Sequence, residues 1–290
     1  MNETINKYVL SSLMNTLSHT THSLKNISLS IVTGIALCSA ANADTSWIKK
    51  VKPFKNGSHP ALKPTKLEYK LSWKGAVKAG TITFEFNKKD NRYKGLEISQ
   101  AYGRSQNLAY AAFPYHFSMT SFAKQGTHQP IIFVADEKDK REKVKTTNNF
   151  KSNGVTHSST KDNFIKNTLK KRDHLFKFPN AHDPISAIQY IRRQPLKNGE
   201  KLYLCLHPFR SPMFSEITVL GRENHNGKPC IKLDVKLNKI NKETLKLEDY
   251  SKLKKATLWI SDDADRVLME LRSQVFIGDV RAVLVKKSAL

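Results

Sequence analysis

The chain has 290 residues, with 49 Lys and Arg against 25 Asp and Glu, a formal net charge of +24, and 39% hydrophobic residues. The length is enough for a sizeable core, and beyond the first 43 residues no apolar run is long enough to cross a membrane as a helix, which takes about 20 residues. So basic a chain suggests nucleic acid, but its Lys and Arg are spread along the sequence, and it has neither a basic recognition helix nor an RNA-binding aromatic signature.

The N-terminus reads as a targeting segment. Lys25 precedes an apolar run from Ile27 to Cys38, and Ala41-Asn42-Ala43 has the small-x-small pattern of a signal-peptidase site. Residues 1–43 are therefore predicted to be a signal peptide cut between Ala43 and Asp44, with the mature chain in the periplasm of a Gram-negative bacterium. Secretion to the medium is one alternative. Another is an outer-membrane lipoprotein anchored through Cys38, although Leu37 is bulky where a lipobox carries a small residue. Outside the cytoplasm, the available polyanions are lipid head groups, lipopolysaccharide and acidic glycans. Two cysteines remain after cleavage, Cys205 and Cys230. They read either as a disulfide formed by an oxidising compartment or as two buried thiols acting as small apolar residues.

Residues 44–64 form an N-terminal strap, broken by Pro53, Gly57, Pro60 and Pro64. From residue 65 to 290 the pattern is that of one mostly β domain. Leu67, Tyr69, Leu71 and Trp73 alternate with polar residues, as do Ile82, Phe84 and Phe86, and Tyr115, Phe117 and Met119. Asn107 to Pro114 is a helical turn or crossover. Asn153-Gly154 and Asn226-Gly227 are hairpin turns. Lys138 to Lys145 reads as a solvated strand edge or hairpin end, and Lys161 to Asp173 as an exposed basic loop. One amphipathic helix stands out at about 183–193. Asp183 caps it, Pro184 suits its first turn, Ile185, Ile188 and Ile191 lie near one face, and Arg192-Arg193 favour its C-terminal end. Strands then run from Lys201, Ser215 and Pro229. The C-terminal meander from Lys255 to Lys286 turns at Asp262–Asp265 and at Gly278-Asp279. The predicted fold is mainly β: an antiparallel curved sheet forming an open barrel or sandwich, with the helix plugging or flanking it, and a β barrel is the working picture.

Three ordered segments resemble the exported bacterial domain-of-unknown-function 3108 family. They are Tyr69-Lys-Leu-Ser-Trp-Lys-Gly with Ala79-Gly80; Phe178-Pro179 with Asp183-Pro-Ile-Ser-Ala-Ile-Gln-Tyr-Ile-Arg192; and Leu258-Trp-Ile-Ser-Asp-Asp263 with Arg266 and Gly278-Asp-Val-Arg-Ala-Val-Leu284. The chain departs from the family pattern at Val267-Leu268, where members often carry proline. The resemblance implies an exported, mostly β domain similar to open barrels that hold apolar ligands. It implies no activity and no catalytic residues.

The residues name no chemistry directly. The eight histidines beyond the leader are scattered without His-x-x-x-His spacing, no Cys-x-x-Cys occurs, and no Gly-rich phosphate loop or nucleophile elbow is present. Asp262, Asp263 and Asp265 are explained by a turn. No cofactor and no metal are assigned, and catalytic residues are none. The recurrent aromatics give a candidate cavity lining of Tyr69, Trp73, Tyr115, Tyr190 and Trp259, with Arg192 and Arg266 as candidate contacts for an anionic group. Three functions compete: non-enzymatic binding of an amphiphile or envelope polymer such as lipid, lipopolysaccharide or acidic glycan; an envelope assembly factor; and a glycan-active hydrolase or lyase. A cavity favours the first, a filled core with an exposed edge the second, and a carboxylate pair about 5–10 Å apart the third.

Overall fold

The computed structural model describes residues 45–112, 114–250, 255–275 and 278–290. The expected cleavage pair Ala43–Asp44 and the lipobox candidate Cys38 lie outside these residues. The described chain is a mainly β, mostly antiparallel, open sheet of sixteen strands with a few short helices.

The first half is an unbroken up-and-down run. It comprises β1 (Thr65–Trp73), β2 (Val77–Lys88), β3 (Leu96–Ser105), β4 (Tyr115–Lys124), β5 (Pro130–Asp139), β6 (Glu142–Lys151), β7 (Gly154–Asn163) and β8 (Thr168–Phe176). Each strand pairs with the next. Period-two patterning drives it: on β4, Tyr115, Phe117, Met119, Ser121 and Ala123 are buried while His116 and Ser118 are exposed. The second half is β9 (Ala181–His182), β10 (Lys201–Leu206), β11 (Met213–His225), β12 (Lys228–Ile240), β13 (Leu247–Asp249), β14 (Lys255–Ser261), β15 (Leu268–Val275) and β16 (Gly278–Ala289). Strand β16 lies between β15 and β1, so the first and last strands join the halves, with Tyr69 opposite Leu284 and Trp73 opposite Val280. Among the described residues there are three α-helices, α1 (Trp47–Lys50) ahead of the strands and α2 (Asn107–Ala112) and α3 (Pro184–Arg192) between them, and one 3-10 turn at Asn91–Tyr93.

The hairpin turns follow from backbone chemistry. Asn226 and Gly227 both have positive φ, 52° and 79°, which is what a two-residue type I′ link between β11 and β12 needs. At Gly154 a Cβ would lie 2.1 Å from the Phe176 carbonyl oxygen, so only glycine lets β7 start there. Two readings of the sequence are corrected. Lys161 to Asp173 is the β7–β8 hairpin, not a loop, with Lys161 opposite Lys170. Gly278-Asp279 opens β16, since Gly278 already pairs with Val275, rather than forming the turn.

The β barrel is also corrected: the sheet does not close. Strand β8 pairs with β7 and β9 with β10, and these two ends of the path are not hydrogen-bonded to each other. The physical reason is at β9. It is two residues long, runs parallel to β10, and hands the chain directly to Asp183 and α3, so no strand is left to bridge the gap. Side chains fill it instead: Val155 and Phe176 from the β7–β8 end meet Ala181, Cys205 and Phe214 from the β9–β11 end, with Trp47 and Val51 of the strap laid across them.

Helix α3 occupies the interior. The Asp183 carboxylate accepts from Ile185 N at 2.8 Å and Ser186 N at 3.0 Å, and Ser121 Oγ on β4 donates to it at 2.7 Å. Ile185 joins the cluster of Leu67, Leu71, Met119 and Phe133. Ala187, Tyr190 and Ile191 join Leu204, Ile217, Ile231 and Ile260 from the opposite wall. Ser186, Gln189 and Arg192 are buried as well, so the helix is enclosed on all sides rather than half in water.

Candidate functional site

Where α3 ends against β1 and β2, a crevice remains between Tyr69, Phe84 and Phe86 on one side and Arg192 and Arg266 on the other, with Leu62 of the strap across it. It has room for about one water molecule. The aromatic wall is ordered: Phe84 and Phe86 stack at 5.5 Å, and Tyr69 meets Phe84 edge-on at 5.7 Å. Tyr69 Oη donates to the Leu268 carbonyl at 2.8 Å, and burial pushes its phenol well above the usual range.

The two arginines hold backbone. Arg192, 2% exposed, donates through Nε and Nη2 to the Asp265 carbonyl at 2.9 and 2.6 Å and through Nη1 to the Pro60 carbonyl at 3.1 Å. Burial pulls its guanidinium down to about 10. Arg266 donates to the carbonyls of Arg192, Gln194 and Pro195, stitching the end of α3 to the β14–β15 turn. That turn explains the aspartates: Asp263 accepts from Asp265 N, Arg266 N and Ser261 Oγ, which holds Arg266 at φ 44°. Two of the lining residues each carry a buried polar atom without a protein partner, Arg266 Nε and Gln189 Oε1.

Of the five aromatics expected to line a cavity, Tyr69 borders the crevice and the others lie elsewhere. Tyr115 is buried on β4, where its hydroxyl donates to Glu137 at 2.5 Å. Tyr190 faces the other way on α3, 4.8 Å from the His182 ring. Trp73 sits half-buried at the end of β1, with Lys74 Nζ 5.0 Å over its ring. Trp259 is on the opposite face of β14 from Leu258 and Ile260, as strict alternation demands. There its indole donates to Glu223 at 2.7 Å and lies under His225, 4.2 Å away, with Arg272 4.9 Å from the ring. Glu270 completes that polar cluster. Burial pushes it up, but bonds from Arg272 and His225 outweigh this and hold it below the ordinary carboxylate value.

Of the two readings of the cysteines, the structure has the buried thiols and not the disulfide. Cys205 and Cys230 are both buried free thiols. Cys205 pairs with Phe214 and Phe214 with Asn238, so Cys230 lies eight residues further along β12, on the order of 25 Å away.

A histidine cluster went unseen in the sequence. At the gap between the sheet ends, His157 on β7 and His174 on β8 stack at 4.6 Å, and His207 after β10 lies 6.0 and 5.7 Å from them. Asn148 organises them. Its Oδ1 accepts from His157 Nδ1 at 2.8 Å, and its Nδ2 donates to the carbonyls of His207 and Phe209, each at 3.1 Å. Burial lowers all three imidazoles, His157 to about 3, His174 to about 4 and His207 well below its usual value. The signal was there in the hairpin register, which sets His157 directly opposite His174. Among the described residues no group of His, Cys, Asp and Glu has the arrangement of a metal site, and no helix is long and apolar enough to cross a membrane.

An open, mainly β sheet wrapped around one buried helix, with no chemistry announced by a motif, defines a class of fold and leaves its activity open. Within that class the chain belongs to the DUF3108 family: the family described as "Protein of unknown function (DUF3108)" matches residues 68–285. Among solved structures, it is similar to a beta-barrel-like protein of domain of unknown function DUF1849 from Brucella abortus, at 10% identity and a TM-score of 0.51, covering 79% of this chain and 99% of that one. A Bacteroides fragilis protein with a YmcC-like fold matches at 8% identity and a TM-score of 0.36, covering 80% of this chain and 99% of that one. The likeness to the Brucella protein is one of fold. No curated protein matches the sequence.

Proposed function

We propose that this protein is exported, with residues 1–43 as its signal peptide, and that residues 65–290 act in the periplasm as one domain that binds an anionic amphiphile without catalysing a reaction. The observation that carries the reading is the crevice under α3. Its lining is largely aromatic and aliphatic, yet two lining residues carry a buried donor, Arg266 Nε, and a buried acceptor, Gln189 Oε1, without protein partners. Buried polar atoms are rarely left so: an oxygen of an anionic head group would accept from Arg266 Nε, while Gln189 Oε1 needs a donor, such as a head-group hydroxyl or a water. Leu62 and the Pro60 carbonyl, both from the strap at 44–64, hold the places that an acyl chain and its charged head would take. A carboxylate or phosphate binds a guanidinium more strongly than a peptide carbonyl does, so exchange at Arg192 favours the anion.

Native mass spectrometry of the protein purified without detergent tests this. A co-purifying lipid, lost on mild denaturation, is expected. Leu62→Ala, which removes the plug, should raise uptake of a long-chain fatty acid several-fold, and Phe84→Trp should block it. A clean apo mass together with no uptake by Leu62→Ala would reject the reading. A second reading, an envelope assembly factor, draws on β8, whose outer edge is unpaired by the sheet and open to another strand.

A further inference from the structure

The β7–β8 hairpin tip is unlike the rest of the surface. Phe164 is 44% exposed, Ile165 73% and Leu169 63%. Turns normally carry Gly, Asn, Asp or Ser at such places, because an apolar side chain there gains nothing from water. The tip is a built shape. Asn163 Oδ1 accepts from Lys166 N at 2.8 Å, and Phe164 N donates to the Arg141 carbonyl at 2.8 Å, so the β5–β6 turn is tied alongside it. Lys138 Nζ lies 5.7 Å over the Phe164 ring.

The rim is basic. Lys138, Arg141, Lys166, Lys170 and Lys171 are all exposed around the apolar group. The acids nearby are mostly engaged: Asp139 accepts from the backbone of Arg141 and Glu142, and Glu142 pairs with Lys161. Lysines on β8 would by themselves serve to discourage pairing at a sheet edge. That role does not account for an isoleucine at the apex of the turn.

We propose that this tip docks on an anionic lipid bilayer, with Ile165, Phe164 and Leu169 entering the head-group region and the surrounding lysines meeting the lipid phosphates. Neither part suffices alone: a small apolar insertion is marginal, and a basic patch without one slides off with salt, whereas the two together give stable surface binding. Each lysine near such a surface raises partitioning about fivefold. The surface shares no residue with the crevice and stands whether or not the crevice takes a ligand.

Co-sedimentation of the full protein with phosphatidylcholine vesicles, with and without phosphatidylglycerol, tests the proposal. Binding to the anionic vesicles alone is expected, weakening as NaCl is raised. Ile165→Asp should lower that partitioning about tenfold with the melting temperature unchanged, while Phe84→Trp leaves it intact and so separates the tip from the crevice. In Ile165→Trp, the single added indole should shift its emission to the blue on anionic vesicles. Unchanged partitioning of Ile165→Asp would overturn the proposal. So would an unmoved emission from Ile165→Trp on bound protein, or binding of a soluble acidic polysaccharide by a protein that ignores the vesicles.

Discussion

The sheet has two ends, and they solve the same problem by different physics. At the β8 end only Phe176 of nine residues is buried, and Lys170, Lys171 and Asp173 stand in water with Arg172 half-buried among them. At the β9 end both residues are buried, and the chain passes at once into a capped, enclosed helix. A sheet edge exposes unpaired backbone, which charge can guard or packing can hide. Here the first edge is guarded and the second hidden, and the hiding element, α3, is also what prevents closure. The comparison explains why the polar groups differ so much in consequence. At the hidden end Arg192 and Asp183 hold the structure together from inside, whereas at the guarded end the charges face solvent.

Breaking the hidden end should cost most. Arg192→Met strips the Asp265 and Pro60 carbonyls of their buried donors, and two unsatisfied acceptors together cost about 3 kcal/mol. Urea unfolding measures it, and a loss below about 1 kcal/mol would mean that those carbonyls find other donors. The gap between the ends should respond to acid. His157, His174 and His207 titrate lower in the folded protein than the ordinary value of about 6.5, so on acidification the unfolded chain takes up protons first. Their contribution is fully present above about pH 6.5 and is lost as the pH falls from there towards about 4 and then 3, the values for His174 and His157. Nearby Arg210 and Lys242 add to the repulsion and Asp173 opposes it. Chemical denaturation across that range should give a flatter curve for His174→Phe than for the parent; parallel curves would remove the cluster from the acid response. The guarded end should be the most tolerant. Ile165→Ser is expected to change stability by no more than about 0.5 kcal/mol by thermal melting, because a 73% exposed side chain leaves nothing behind it.

Helix α3 was legible because its signals are local: an Asp-Pro start, isoleucines at helical spacing and two arginines at the close. Strands with one buried face, such as β1 and β4, were legible for the same reason. Strand β8 was not, because the face it turns inward carries Arg172 and His174 before Phe176, so no apolar alternation marks it. Trp259 was misplaced by residue type: its size suggested a core lining, while its own alternation with Leu258 and Ile260 already assigned it to the other face. Of the crevice lining, Tyr69, Arg192 and Arg266 carry a signal of residue type in the sequence, and the fold sets the three beside one another. What could not be read was that both arginines are turned on main-chain carbonyls, since partners without side chains leave no trace in a sequence.

The place of β16, last in sequence yet between β15 and β1 in the sheet, sets the order in which this protein can be completed. The β1–β8 run and the β9–β15 run each form from near neighbours, but they become one sheet only when a strand about two hundred residues downstream of β1 arrives, and such distant pairings are slow. A chain threaded across a membrane from its N-terminus would therefore wait, half assembled and with β1 unpaired on one side, until its final strand had emerged.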